Sequence, residues 1–196
     1  MEAESKMLIA ITPAEPTLEE GRKIEALLLG GWHRVHLRHP DASREDMRRI
    51  IESIDQKHHG RLVLHGHFDL LNDFNLGGLH LNGRCPSAPS LYRGALSRSC
   101  HSIAEAIEAK GMEYVTLSPI FDSISKQGYK AAFSPSDLSK LSDATVPIIA
   151  LGGISADNIA GIRKYNFSGY AMLGSIPWES TPEEIHKFAT HTRSIC

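Results

Sequence analysis

Two glycine-containing stretches have the pattern of a phosphate-binding site. The first, VPIIALGGISADN, runs from Val146 to Asn158, and the second, GYAMLGSI, runs from Gly169 to Ile176. Each contains a short apolar run, typical of a buried parallel strand, that ends at glycine. Glycine at that point would leave backbone N–H groups open to an anion. We therefore favour a phosphate cradle over glycines that only form tight turns. Its predicted members are Gly152, Gly153, Leu173 and Gly174.

A helix predicted to begin at Ser155 would add partial positive charge to this cradle. Cationic and hydroxyl side chains follow other predicted strands. Arg38 comes after an apolar strand, and Lys126 lies in a long polar loop. Arginine binds a polyanion as a bidentate fork and lysine binds it as a mobile point charge. Ser99, Ser123 and Ser125 could donate hydrogen bonds to the same oxygens. Each residue singly could be a solvated loop side chain, but together they favour a pyrophosphate-type site.

The chain contains eleven histidines, and several of them fall at or near predicted strand ends. These include His36, His65, His67 and His80. Imidazole is both a metal ligand and an acid or base near neutral pH. No helical two-histidine metal motif is present, and His65-Gly66-His67 alone is a weak signal, so we assign no metal ligand. We select His36, His65 and His101 as candidate acids or bases.

The elements that must position these residues are short strands alternating with helical segments. The strands are predicted at Met7–Ile11, Val35–Leu37, Leu62–Leu64, Gly78–Leu81, Ala95–Ser97, Tyr114–Leu117, Val146–Leu151 and Tyr170–Leu173. The helices are predicted at Thr17–Leu29, from Ser43, and at Ser102–Lys110, Pro135–Leu141, Ser155–Tyr165 and Thr181–Thr192. Eight βα units predict an α/β fold, a single-domain TIM (β/α)8 barrel over residues 1–196. A doubly wound open sheet is the alternative, although no GxGxxG motif follows the first strand.

Composition narrows the function further. The formal net charge of −2 gives no reason to expect nucleic-acid or membrane binding. No apolar run approaches the roughly 20 residues of a membrane span. The three scattered cysteines, Cys85, Cys100 and Cys196, are typical of free thiols in a reducing compartment. We therefore expect a cytoplasmic protein.

Several motifs resemble the thiamine phosphate synthase family, which includes the TenI thiazole tautomerases. SPIFDSISK resembles the family's GPIFxTxTK loop, and VHLRHP, GGLHLN, SCHSIAEA, PIIALGGI and GYAMLGSI resemble further family motifs in the same order. The similarity extends from Met7 to Ile176. It implies a TIM barrel of thiamine biosynthesis. That enzyme joins hydroxymethylpyrimidine pyrophosphate to thiazole phosphate and releases pyrophosphate.

The resemblance also implies roles for individual residues. Arg38 and Lys126 resemble the pyrophosphate-binding arginine and lysine, and Ser99 matches a serine near the same group. Ser123 and Ser125 stand where the family has threonines. Gly152, with the backbone around Leu173 and Gly174, matches the thiazole phosphate site. We expect small phosphorylated thiamine precursors as ligands, and a homodimer as an open alternative.

The chain departs from the family at the metal site. The family implies Mg²⁺ held by two aspartates, but the corresponding positions are Gly66, in the pair His65-Gly66, and Cys85. A hard cation prefers oxygen ligands. Two alternatives to a synthase therefore stay open. One is a TenI-like thiazole tautomerase that uses His36, His65 or His101 as the proton shuttle, although the TenI histidine position is Pro119 here. The other is a barrel that binds a phosphorylated thiamine precursor without turnover.

Overall fold

Eight parallel strands close into a barrel in the computed structural model, which describes residues 6–122 and 132–196. The strands are β1 (Met7–Ile11), β2 (Arg34–Leu37), β3 (Leu62–Leu64), β4 (Gly78–Leu81), β5 (Leu96–Cys100), β6 (Tyr114–Leu117), β7 (Ile148–Ala150) and β8 (Gly169–Met172). The helices are α1 (Glu20–Leu29), α2 (Arg44–Glu52), α3 (Ile103–Glu108), α4 (Pro135–Ser139) and α5 (Pro182–Ser194). The predicted TIM barrel is confirmed, and the open sheet is wrong because β8 pairs with β1.

The two faces of the strands bury different side chains. Residues that point outward, such as Leu8 and Val35, pack with the helices in one large apolar core. Residues that point inward, such as Ile9 and Ile149, belong to a separate cluster inside the barrel. This separation follows from the alternation of side chains along a strand that is covered on both faces.

The barrel interior is apolar on one side and polar on the other. Ile9 and Ile11 of β1, Ile149 of β7 and Ala171 of β8 form the apolar side together with the ring of Tyr114. Strands β2, β4, β5 and β6 contribute buried polar side chains instead, namely His36, His80, Ser97, Tyr114 and Thr116. Buried polar groups require partners, so this side of the barrel must contain a hydrogen-bonded network.

Local capping explains most helix starts. Ser43 and Thr181 stand at the predicted starts of α2 and α5, and each caps its helix through reciprocal hydrogen bonds with the residue three positions on. Helix α1 begins at Glu20, not at Thr17. Glu19 has a left-handed φ of 53°, and the Thr17 N–H donates to Glu20 Oε2 at 2.8 Å. That exposed turn replaces the predicted first turn of the helix.

The predicted helix from Ser155 to Tyr165 is wrong. Only a 3₁₀ helix at Ile159–Ile162 forms there. The Asn158 side chain accepts from the Ser155 N–H at 2.9 Å and donates to the Gly153 carbonyl at 2.7 Å. Such side-chain bonds compete with helical ones. The cradle therefore receives no charge from a helix N-terminus at Ser155.

Strands β5 and β7 also differ from prediction. Strand β5 extends to Cys100, which places Ser99 within the strand. Strand β7 begins only at Ile148, because Pro147 before it has no N–H to donate. No helix within residues 6–122 and 132–196 is long and apolar enough to cross a membrane.

Candidate active site

A hydrogen-bonded chain of aromatic side chains rises along the polar side of the barrel toward its mouth. His36 is fully buried, and its Nε2 lies 2.7 Å from the Tyr114 hydroxyl. Its Nδ1 lies 2.8 Å from Nε2 of His65, which follows β3 at the mouth and is half-buried. One proton is therefore shared along each link from Tyr114 to His65.

His80 of β4 stands beside this chain. Its ring stacks on that of His65, with the centroids 4.3 Å apart. Its Nδ1 lies 2.9 Å from Ser97 Oγ and its Nε2 lies 2.8 Å from Ser99 Oγ. Because the Ser97 hydroxyl donates to the Leu79 carbonyl at 3.3 Å, it accepts from Nδ1–H. Nε2 of His80 therefore carries a lone pair and accepts from Ser99.

All three imidazoles are neutral at physiological pH. Burial lowers the pKa of His36 and of His65 well below the ordinary value, with smaller contributions from the neighbouring histidines and from Arg34 or Arg38. Burial alone lowers the pKa of His80 to about 3. Burial also raises the pKa of Tyr114 to about 12, so the phenol keeps its proton. The network can exchange hydrogen bonds, but it does not supply a positive charge.

An ion pair closes the opposite end of the polar column. Arg34 Nη2 lies 2.5 Å from Glu113 Oε1, and Nη1 donates to the Gly77 carbonyl at 3.1 Å. The guanidinium lies 5.9 Å from the centroid of the Tyr114 ring. The carboxylate thus compensates the arginine at the base of the site.

Positive charge at the mouth comes from arginines. Arg38 directly follows β2, is half-buried, and donates its backbone N–H to Thr12 Oγ1 at 2.8 Å. Burial and the nearby Arg84 lower the pKa of Arg38, while Asp41 opposes that shift. The Arg84 guanidinium lies 3.4 Å from Asp41. Asp41 thus forms an ion pair with Arg84 and acts on Arg38 only through its charge, which leaves this part of the mouth able to attract an anion.

The turn after β7 needs glycine and also leaves donors open. Gly152 and Gly153 have φ of 92° and 65°. A Cβ at Gly153 would lie 2.3 Å from the Asp122 carbonyl oxygen. The backbone N–H groups of Gly152, Gly153 and Gly174 donate to no acceptor within the described part of the chain. The turn requirement and the open amides of a phosphate cradle are therefore both present.

The structure brings some of the predicted site residues together and leaves others apart. His36, His65 and Ser99 meet around His80. His101 is exposed, with Nδ1 3.3 Å from the Ser118 carbonyl, and does not join them. Cys85 is a half-buried free thiol. The predictions for Ser123, Ser125 and Lys126 lie outside the described residues.

Residue-level prediction missed Tyr114, Ser97 and Arg84 as parts of the site. Tyr114 and Ser97 could have been found from the sequence, because both lie in strands that it predicts. Along a parallel strand every second side chain enters the barrel, so the predicted strand at Tyr114–Leu117 already puts Tyr114 and Thr116 on one face. Arg84 had no such signal because it lies in an irregular loop.

Comparison with known proteins places the chain in a family. The family model described as thiamine monophosphate synthase (TMP-TENI) matches residues 8–176. The chain belongs to this family. The crystal structure of thiamine phosphate pyrophosphorylase from Bacteroides thetaiotaomicron is similar, with 31% identity, a TM-score of 0.82 and coverage of 96% of both chains.

Two thiamine-phosphate synthases show the same relationship in sequence. The protein from Ruminiclostridium cellulolyticum is 25% identical over 82% of this chain and 80% of its own length. The protein from Salinibacter ruber is 28% identical over 63% of this chain and 58% of its own length. The resemblance seen in the sequence motifs is thereby confirmed.

The Mg²⁺ ion that the TMP-TENI family implies does not fit the described residues. Asp69 and Asp73 both bind Arg44 on the surface, at 2.5 and 2.7 Å. Within residues 6–122 and 132–196, the only group of three or more potential ligands close enough to share an ion consists of imidazoles. A hard cation that prefers oxygen thus finds no cluster of three side-chain oxygen donors there, and the two positions at which the family has aspartates are Gly66 and Cys85.

Proposed function

We propose that this chain is a thiamine phosphate synthase. It would join the pyrimidine methylene of hydroxymethylpyrimidine pyrophosphate to the thiazole phosphate nitrogen, and pyrophosphate would leave. The observation that carries the proposal is the pairing, at one barrel mouth, of Arg38 with open amides at Gly152 and Gly153, in a chain of this family. The carboxyl ends of the strands are where barrel enzymes bind their ligands.

Arg38 would stabilise the leaving group. Negative charge builds up on pyrophosphate as its bond to the methylene carbon breaks, and a fixed guanidinium stabilises that charge. Ser99 would turn its hydroxyl from His80 Nε2 to the same oxygens when the substrate binds. The resemblance assigns Lys126, Ser123 and Ser125 to this half of the site.

The glycine amides would hold the second substrate. Phosphate oxygens accept from backbone N–H groups at turns, and Gly152, Gly153, Leu173 and Gly174 line such turns after β7 and β8. Holding both substrates at one mouth gives the thiazole nitrogen a fixed approach to the pyrimidine carbon.

The neutral histidines would contact the uncharged rings of the substrates. His65 lies at the mouth and is held by His36, so it can accept or donate one hydrogen bond without adding charge. The role of His101 stays a prediction. We derive no step through Mg²⁺, and we expect the enzyme to act in the cytoplasm on small phosphorylated precursors.

Relatives named as synthases favour this function over a tautomerase or a binder without turnover. The decisive assay incubates the purified chain with both precursors and measures thiamine phosphate and pyrophosphate in equal amounts. The proposal is contradicted if neither product forms from the two precursors with any of the divalent ions tested.

The Arg38→Ala variant tests the leaving-group site. We expect a loss in kcat of about 100-fold, since a single preorganised donor to developing charge has that worth. Arg98→Ala is the matched control, because Arg98 is an exposed arginine of β5. Equal activity in Arg38→Ala and Arg98→Ala would remove Arg38 from the mechanism.

A further inference from the structure

We propose that His36, His65 and His80 form a binding site for one divalent transition-metal ion, such as Zn²⁺ or Co²⁺. One ring nitrogen from each of them lies within 4.8 Å of the other two. His36 and His80 lie in β2 and β4, and His65 directly follows β3, the strand that pairs in register with both. The sequence gave only a weak signal for a metal site, from which no ligand was assigned, and the packing leads to the opposite conclusion.

The spacing is close to that of a three-histidine site. Zn–N bonds of about 2.0–2.1 Å in a tetrahedron place the ligand nitrogens about 3.3 Å apart. Nδ1 of His36 and Nε2 of His65 are 2.8 Å apart, and the ring of His36 lies 5.0 Å from each of the other two. Metal binding therefore requires these two nitrogens to move about half an ångström further apart.

His65 is the ligand that can make this adjustment. It follows the end of β3 and is half-buried, whereas His36 and His80 lie within strands and are buried. The next residue, Gly66, has nothing within 4 Å of a Cβ built on it. The segment that carries His65 is therefore less tightly packed than the strands that carry the other two ligands.

Two of the three ligands already have the support that metal-binding histidines require. A ligating imidazole normally binds a partner through its other nitrogen, which fixes the tautomer and the ring orientation. His36 is held at Nε2 by Tyr114, which leaves Nδ1 toward the cluster. His80 is held at Nδ1 by Ser97, and its Nε2 lone pair, which accepts from the Ser99 hydroxyl, becomes available to a metal once that hydroxyl turns away.

The chemistry of the donors selects the class of ion. Burial keeps the imidazoles unprotonated, so no proton competes with the metal at neutral pH. A set of three nitrogens suits Zn²⁺, Co²⁺, Ni²⁺ or Cu²⁺, and it is a poor match for Mg²⁺.

The charges around the cluster leave room for an anionic fourth ligand. Arg34 is compensated by Glu113, whereas Arg38 on the mouth side adds, after burial and the two other histidines, to the lowering of the pKa of His65. A hydroxide or phosphate oxygen between the metal and Arg38 would help to balance both cations. Phosphate at this position rests on the proposed function, but metal binding does not.

An unpartnered hydroxyl also faces the barrel interior. Thr116 Oγ1 is fully buried and has no hydrogen-bond partner among the described residues. Thr116 is two residues from Tyr114 and pairs in register with Ser99 and Ile149 of the inward face. A buried group of this kind indicates a bound water or ligand.

Cobalt titration of the tag-free, substrate-free protein tests the site. We expect one Co²⁺ per chain with the visible absorption of tetrahedral nitrogen coordination, displaced by one equivalent of Zn²⁺. Ser97→Ala should weaken binding about 10- to 100-fold, as expected for a residue that orients a ligand.

The ligand variants are His65→Asn and His80→Asn, and each should abolish the tetrahedral absorption. His67→Asn is the matched control. His67 binds the Ala42 carbonyl outside the cluster, and its φ of 48° suits asparagine.

Circular dichroism confirms that each variant is folded, and His65→Asn, at the half-buried position, serves as the test if His80→Asn does not fold. Absence of the band in the unmodified chain would overturn the site, as would its survival in folded His65→Asn. Since no substrate is present, failure here leaves the synthase proposal intact, and loss of activity leaves this site intact.

Discussion

At the scale of single residues, the barrel interior contains histidines that are both buried and neutral. His36 and His80 are buried within strands, and each is bonded at both ring nitrogens. Full hydrogen bonding makes burial of a neutral imidazole tolerable, while a charged one would remain strongly disfavoured. The contribution of His36 and His80 to the free energy of unfolding must therefore depend on pH.

The first residue-scale prediction concerns acid stability. The folded-state pKa of His80 is lowered to about 3, so the unfolded chain binds a proton below about pH 6.5 that the folded chain does not. The free energy of unfolding should be constant above that pH. It should fall by about 1.4 kcal/mol per pH unit for each such histidine below it.

Urea unfolding between about pH 7.5 and pH 5 measures this slope. The His80→Asn variant, even if less stable, should show a slope smaller by one proton. His191→Asn, at an exposed position of α5, is the control and should keep the full slope. Identical slopes for His80→Asn and the unmodified chain would show that His80 takes up protons equally in both states.

At the scale of elements, the turn after β7 has both left-handed glycine conformations and close packing against a neighbouring turn. The glycines adopt left-handed conformations, and they pack against the chain that follows β6. The Phe121 N–H donates to the Gly152 carbonyl at 3.0 Å, which ties the two turns together. The carbonyls thus hold the turn while the amides remain open.

The element-scale prediction is the effect of Gly153→Ala. The new Cβ would collide with the Asp122 backbone carbonyl in a conformation that L residues avoid. We expect a loss of about 1–3 kcal/mol in the free energy of unfolding. Affinity for inorganic phosphate should also be weaker in the remaining folded protein.

Gly161→Ala is the matched control for that substitution. Gly161 lies in the 3₁₀ helix after the same strand, and nothing lies within 4 Å of its built Cβ. Unfolding curves of the two variants should differ clearly. Equal stability would show that the turn after β7 relaxes without cost.

At the scale of the whole molecule, charge is distributed unevenly although its sum is small. The net charge is −2, yet two guanidiniums, Arg38 and Arg84, lie near a single carboxylate, Asp41, at the mouth. The local field can therefore attract a polyanion that the overall charge would weakly repel.

The prediction at this scale is a salt dependence. Calorimetric affinity for inorganic pyrophosphate should fall when ionic strength rises from about 0.05 to about 0.2 M, because salt screens exposed charges. Arg84→Ala should flatten that dependence. Arg93→Ala, an exposed arginine before β5, should leave it unchanged. A flattened slope in Arg93→Ala, or an unchanged one in Arg84→Ala, would place the field elsewhere.

The sequence alone determined the barrel, because the signals for it are local. Apolar runs fixed β1, β3, β4 and β6 to the residue. Capping boxes set the starts of α2 and α5 in the same way. Family motifs spread over most of the chain then identified the family.

Tertiary structure decided what the histidines do. The sequence could place His36, His65 and His80 near strand ends, but their contact depends on the register of three strands and on rings that turn toward one another. The backbone at Ser155 does not begin a helix, because its N–H donates to the side chain of Asn158 in the folded chain. Strand periodicity is encoded within a few neighbouring residues, whereas a cluster of side chains from β2, β3 and β4 exists only once the barrel has closed around it.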